Sequence, residues 1–260
     1  IKSSAASDVY KRQVYNDISF TAEPGQIIGV TGPVASGKST FGRTFLCEYP
    51  YEGSIRYNGC ELRNAADNVR SGIISYLGHD PELFNDSVRN NVLLGDDYDV
   101  FEYLRVVCMD KEVEAMEQGA DTIIGSEGIR LSGGQAQRIA LARTLCHKKL
   151  VLVLDDPFSA LDRNTEEQIY KKLKDMASDN IVILISHRLY MFPKMDKVIW
   201  MDAGMVNVGT HKELMLECPG YRKMYETVSV EECRAVETEN EGLAAAKVVE
   251  NSRRVVDKHE

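Results

Sequence analysis

Two glycines, a lysine and a hydroxyl are spaced as G-x-x-x-x-G-K-[ST] over Gly32, Pro33, Val34, Ala35, Ser36, Gly37, Lys38, Ser39 and Thr40 (GPVASGKST). That spacing suits the holding of phosphate. Gly32 and Gly37 let a loop wrap with its backbone N–H groups turned inward, and a helix starting there adds the positive end of its dipole. Lys38 then reaches the β- and γ-phosphates of a nucleotide, and Ser39 offers its hydroxyl to Mg2+. A second group is acidic. Asp155 and Asp156 follow the apolar run LVLVL at residues 150–154, and two carboxylates ending a buried strand are costly unless a cation meets them. Magnesium beside the phosphate loop resolves that, with Asp155 holding the ion through water and Asp156 facing the attacking water.

These groups need a scaffold that gathers strand ends. Residues 26–31 (QIIGVT) read as a buried strand feeding the loop, and residues 39–47 continue it with helical spacing. Residues 73–77 (IISYL), 150–154 and 181–185 (IVILI) are further strand-length apolar runs, the last two separated by a helical pattern at 165–176. Strand and helix in alternation imply a mainly parallel sheet covered on both faces. Residues 14–20 (VYNDISF) alternate like a half-buried strand, 53–58 (GSIRYN) read as another, and 198–201 and 205–208 bracket Ala203-Gly204 as a hairpin. From 86 to 149 the chain is mostly helical, with apolar stripes at Phe101, Leu104, Val107 and at Ile139, Leu141, Ala142, Leu145. Residues 84–149 thus form an expected helical subdomain inside a domain spanning 14–227. Residues 1–13 are small, polar and aperiodic, an expected non-native leader. The charged tail 228–260 is expected to be helix or disorder.

Composition narrows the class. At 260 residues one core suffices without disulfides or structural metal. A net charge of −9 opposes a broad nucleic-acid footprint, which needs clustered Lys and Arg. The 6 cysteines include no C-x-x-C pair and read as free thiols. No apolar run approaches the roughly 20 residues that cross a bilayer as a helix.

Residues 131–143 read LSGGQAQRIALAR, closely similar to the LSGGQ signature of ABC ATPases. Ser159-Ala160-Leu161-Asp162 follows the aspartates as the family's D-loop does, and His187 in Ser186-His187-Arg188 resembles its switch histidine. The segments YLGHDPELF (76–84), SVRNN (87–91), TIIGSEG (122–128) and the GTH-x-EL stretch at 209–214 resemble exporter sequences, with His211 read as structural. The resemblance implies an α/β P-loop NTPase (RecA-like) with a mainly parallel core, an antiparallel β subdomain and an inserted α-helical subdomain. It implies ATP and Mg2+ as cofactors and a dimer in which Ser132, Gly133, Gly134 and Gln135 meet the nucleotide of a second nucleotide-binding domain. It further implies a transmembrane domain as partner, at the cytoplasmic face of the cell membrane.

Three positions depart from the family pattern. Asp156 stands where a catalytic glutamate is usual, His79 replaces the Q-loop glutamine that ligates Mg2+ or positions water, and Ser126 precedes Glu127 where the exporter loop has its glutamate. The first two suggest a slow ATP site in the chain of a heterodimer, while the intact signature serves the partner's site. The adenine-stacking aromatic falls in the leader region, near Tyr10. The competing expectations are a non-transport ABC ATPase and a regulatory ATP-binding domain with little hydrolysis.

Overall fold

The computed structural model describes residues 18–125 and 128–227. The expected leader, Tyr10, the start of the strand expected at 14–20, Ser126, Glu127 and the tail from 228 lie outside them. The core is a six-stranded sheet. Strand β1 (Ile27–Thr31) lies between β9 (Lys197–Asp202) and β8 (Ile181–Ile185), followed outward by β7 (Val151–Asp155) and β4 (Ile74–Leu77), all parallel. Strand β10 (Met205–Gly209) closes the far edge antiparallel to β9, as the hairpin signal predicts.

The apolar runs are continuous because both faces are covered. Successive side chains serve different cores. On one face Ile28, Val30, Val151, Val153, Ile183 and Ile185 pack with Phe41 and Phe45, on and just after α1 (Lys38–Thr44). On the other, Ile27, Leu152, Leu154, Val182 and Leu184 pack with the inserted helices. Between β4 and β7 these are α3 (Val88–Leu93), α4 (Val100–Val106), α5 (Asp110–Glu114) and α6 (Gly133–Cys146). Helix α7 (Arg163–Met176) packs against the same face through Ile169, Tyr170 and Leu173. Helix α8 (His211–Glu217) follows β10, and the chain is helical again over residues 219–227.

Three expectations change in detail. Residues 18–20 form no strand, although Ile18 and Phe20 still pack half-buried against the core, Phe20 with its ring 6.3 Å from that of Phe41. The alternation is met by packing rather than by a hydrogen-bonded ladder. The run 53–58 shortens to β2 (Arg56–Tyr57), paired with β3 (Cys60–Glu61), because the left-handed Asn58 and Gly59 turn the chain back. Helix α2 (Asp67–Ile73) leads directly into β4, and the helical insertion also holds a small ladder of β5 (Asp86–Ser87) and β6 (Ile123–Ile124).

Candidate functional site

Parallel strands put their carboxyl ends on one edge, and there the chemistry collects. The register sets Val30 beside Ile185, Ile185 beside Asp155, and Leu154 beside Leu77. The loop after β1 therefore neighbours Ser186-His187 after β8, Asp155-Asp156 at the end of β7, and Gly78-His79 after β4.

Residues 32–37 form the expected loop. Gly32 has φ +155°, and a Cβ there would sit 1.9 Å from the Met201 carbonyl oxygen, so no side chain fits. Val34 is 86% exposed and Ala35 is left-handed at φ 63°, holding the crest of the loop outward. Lys38 opens α1 and folds back beneath the loop. Its Nζ donates to the carbonyls of Gly32 (2.9 Å) and Pro33 (2.7 Å) and to Ser36 Oγ (3.4 Å). Burial lowers the Lys38 pKa, and the charges of Asp155 and Asp156 oppose that shift. Ser39 is exposed at the helix start, while Thr40 contributes its carbonyl to the Thr44 hydroxyl at 2.8 Å.

Asp155 is 4% exposed and accepts from the Tyr76 hydroxyl at 3.2 Å. Asp156 turns left-handed at φ 50°, a region that aspartate tolerates better than most residues. Its carboxylate lies 3.7 Å from His79 Nδ1. Burial raises the Asp156 pKa and Asp155 adds to this, against the pull of His187, His79 and Arg188. For His187 burial and then Lys38 lower the pKa, favouring neutral imidazole, with both aspartates opposing. Lys38, Asp155, Asp156, His79 and His187 thus form one electrostatic cluster.

The signature residues lie apart from it. Ser132 caps α6 in a reciprocal box: its Oγ accepts from Gln135 N at 3.2 Å, and its N donates to Gln135 Oε1 at 2.9 Å. Gln135 is further tied to Glu112 (2.8 Å). Gly133 and Gly134 form the first turn, and a Cβ on Gly134 would approach the Ala160 carbonyl oxygen to 2.7 Å. Ser132 and Gly133 face solvent, leaving the positive end of a 14-residue helix open. Replacing Ser132 with alanine removes the cap and is expected to cost about 1 kcal/mol in denaturant unfolding, with an unchanged m-value.

Sequence reasoning passed over Gln137. Buried on α6, it donates to the Asp156 carbonyl (2.8 Å) and Ser159 Oγ (3.0 Å) and accepts from Ala160 N (3.2 Å). The available signal was a polar residue four before Leu141 on the buried stripe, which demands partners. Arg188 and Glu166 were also passed over. The Arg188 guanidinium pairs with Glu166 Oε2 at 2.8 Å, and burial drives the Glu166 pKa up to about 7 although Tyr190 and Arg188 pull it down. The folded chain therefore keeps this proton to higher pH than the unfolded chain, whose value is near 4.5. Ionised Glu166 consequently subtracts stability increasingly as pH rises from about 4.5 to about 7. The melting temperature of Glu166→Gln relative to wild type is expected to rise between about pH 5 and about pH 8, read by thermal melts across that window.

Among the described residues no three His, Cys, Asp or Glu side chains gather as a metal-binding group. An exposed serine hydroxyl at the start of α1 and a buried carboxylate at the end of β7 are a donor set that suits Mg2+, which completes its shell with water and phosphate oxygens. The Tyr76 hydroxyl is the protein donor to Asp155 in this structure, so the carboxylate retains acceptor capacity for ion-bound water. His211, by contrast, sits 2.8 Å from the Tyr221 hydroxyl and against the Tyr225 ring, a packing role.

A glycine-rich loop wrapped over a lysine, at the carboxyl edge of a parallel sheet and beside a strand-end aspartate, defines a P-loop NTPase fold. Residues 15–159 match the ABC transporter family. The chain belongs to that family. It is 35% identical over 216 residues to the probable multidrug resistance ABC transporter ATP-binding/permease protein YheI of Bacillus subtilis, with 81% of this chain and 37% of that one covered. It is 37% identical over 223 residues to an ATP-dependent lipid A-core flippase of Pseudomonas syringae pv. tomato, covering 83% of this chain and 37% of the relative. A bacterial Atm1-family ABC exporter with ATP bound superposes with a TM-score of 0.78 at 30% identity, over 85% of this chain and 40% of that one. The chain thus spans less than half the length of these relatives.

Proposed function

We propose that this chain is the ATP-binding and ATP-hydrolysing domain of an ABC exporter. The observation that carries the reading is the cluster of Lys38, Asp155, Asp156 and His187 on one sheet edge, with a capped helix start presented to solvent on α6. Domains of this family bind ATP, generally with Mg2+. Here the loop from Gly32 to Gly37 and Lys38 would hold the phosphates, and Ser39 and Asp155 would hold the ion. His79, 3.7 Å from the Asp156 carboxylate, would help hold the ion or position the water. Asp156 orients and deprotonates the attacking water, its raised pKa making it the stronger base once ionised. Neutral His187 donates toward the γ-phosphate. Mg2+, when bound there, would supply neutralisation of charge on the phosphate oxygens.

In this reading Ser132, Gly133, Gly134 and Gln135 complete the site of a second nucleotide-binding domain, and each such domain lends its helix end to the other's ATP. A membrane-spanning permease part is the other partner, as the names of the relatives suggest, with this domain at the cytoplasmic face. Asp156 and His79 favour pairing with a different subunit and slow turnover at this chain's own site. The test is a disulfide between copies, using Ser36→Cys with Ser132→Cys in a background lacking the native cysteines. A covalent dimer formed with MgATP and not without it is expected. Cross-linking that ignores nucleotide, both with itself and with a candidate second subunit, rules the reading out.

A further inference from the structure

Two loops carry the hydrolytic groups, one after β7 with Asp156 and one after β8 with His187. Their only direct backbone tie near the site is the Asp156 N–H bond to the Ile185 carbonyl at 2.9 Å, among the described residues. Arg188 adds a side-chain tie. Its guanidinium divides between Glu166 Oε2 (2.8 Å) and the Ser159 carbonyl (3.1 Å), and its own N–H donates to Ser186 Oγ (3.0 Å). Ser159 in turn is bonded to Asp156 through its N–H (3.3 Å) and to Gln137 through its hydroxyl. Glu166 is fully buried on the first turn of α7, so the anchor for Arg188 cannot swing.

A half-buried ion pair of this kind does little for stability compared with apolar packing of the same volume. What it supplies is geometry. A planar fork can satisfy a carboxylate and a carbonyl together, whereas an ammonium is a single point. We propose that Arg188 is a positioning residue for hydrolysis, fixing the loop that carries His187 against the loop that carries Asp156 and Ser159. This rests on the reading of the site as an ATPase.

The experiment is single-turnover hydrolysis of MgATP by the full chain at increasing protein concentration, with nucleotide affinity and thermal melting measured alongside. Arg188→Lys keeps the charge and the Glu166 partner and gives up the second arm of the fork. It is expected to lower the maximal rate on the order of tenfold, with nucleotide affinity and melting temperature unchanged, the pattern of an interaction realised only in the transition state. Glu166→Gln keeps an acceptor for the guanidinium and is expected to lose less. An unaltered rate in Arg188→Lys overturns the inference. So does a rate that falls only as far as affinity or melting temperature falls. Wild-type chain that binds MgATP and never turns it over removes the ATPase reading itself, a result separate from either of these.

Discussion

Lys38→Met is expected to abolish nucleotide-dependent behaviour while leaving the unliganded fold intact. The loop from Gly32 to Gly37 offers dipoles to phosphate, but Lys38 is its one full positive charge, held in place by three acceptors within the loop itself. A lost donor to a charged transition state costs on the order of 100- to 1000-fold in rate, and a lost cation more. A fall in kcat/KM for MgATP of about 1000-fold or greater is therefore expected. Stability without ligand behaves differently. Burial already lowers the Lys38 pKa, so its charge is held against a desolvation penalty that methionine avoids. The hydrogen bonds to the loop carbonyls are lost together with that penalty, so the unliganded melting temperature should stay close to that of the wild type. For the wild type, nucleotide at 100 times its Kd adds about 2.7 kcal/mol of apparent stability, and the variant should show none of it. Melting curves with and without MgATP read both effects. A Lys38→Met protein that still gains stability from MgATP contradicts the assignment of the loop.

Asp156→Glu carries the second large effect, and in the opposite direction. The aspartate carboxylate sits one methylene nearer the backbone than a glutamate's would, at the end of β7 and 3.7 Å from His79. Displacement of a catalytic group by about an ångström is worth on the order of 100-fold. Lengthening the side chain is thus expected to accelerate single-turnover hydrolysis by about that factor. It should do so at a cost in stability, because residue 156 has φ 50°, where glutamate is less at ease than aspartate. The loss is expected to be about 1 kcal/mol or less. If wild type already hydrolyses ATP as fast as Asp156→Glu, the slow-site reading is wrong, and a homodimer with two equal sites becomes the simpler arrangement.

Lys38 and Asp156 differ in how far along the chain their surroundings are drawn from. The lysine sits inside a contiguous stretch of nine residues whose turn chemistry, helix start and charge are all local, so the loop and the lysine at its helix start are legible from residues 32–40 alone. The strand preceding it, the apolar runs at 150–154 and 181–185, and the alternation of strand with helix were legible for the same reason: each depends on periodicity within a short window. The resemblance at 131–143 added the signature serine, and the capping box found at Ser132 and Gln135 is again a local device, four residues long.

What no local pattern contains is the order of the strands. With β1 between β8 and β9, and β7 between β8 and β4, residues more than a hundred positions apart share one edge. Only that order brings His79 to Asp156, seats Gln137 between the signature helix and the Asp156 backbone, and lets Arg188 reach both Glu166 and Ser159. Isolated in the sequence, a buried glutamine and an Arg–Glu pair 22 residues apart carry no distinguishing mark. The amino-acid sequence by itself determined most of the core strands and helices and which loop wraps over Lys38, since those are matters of neighbouring residues. The tertiary structure decided which distant side chains become partners, because crossover packing of helices onto both faces of the sheet sets strand order and register.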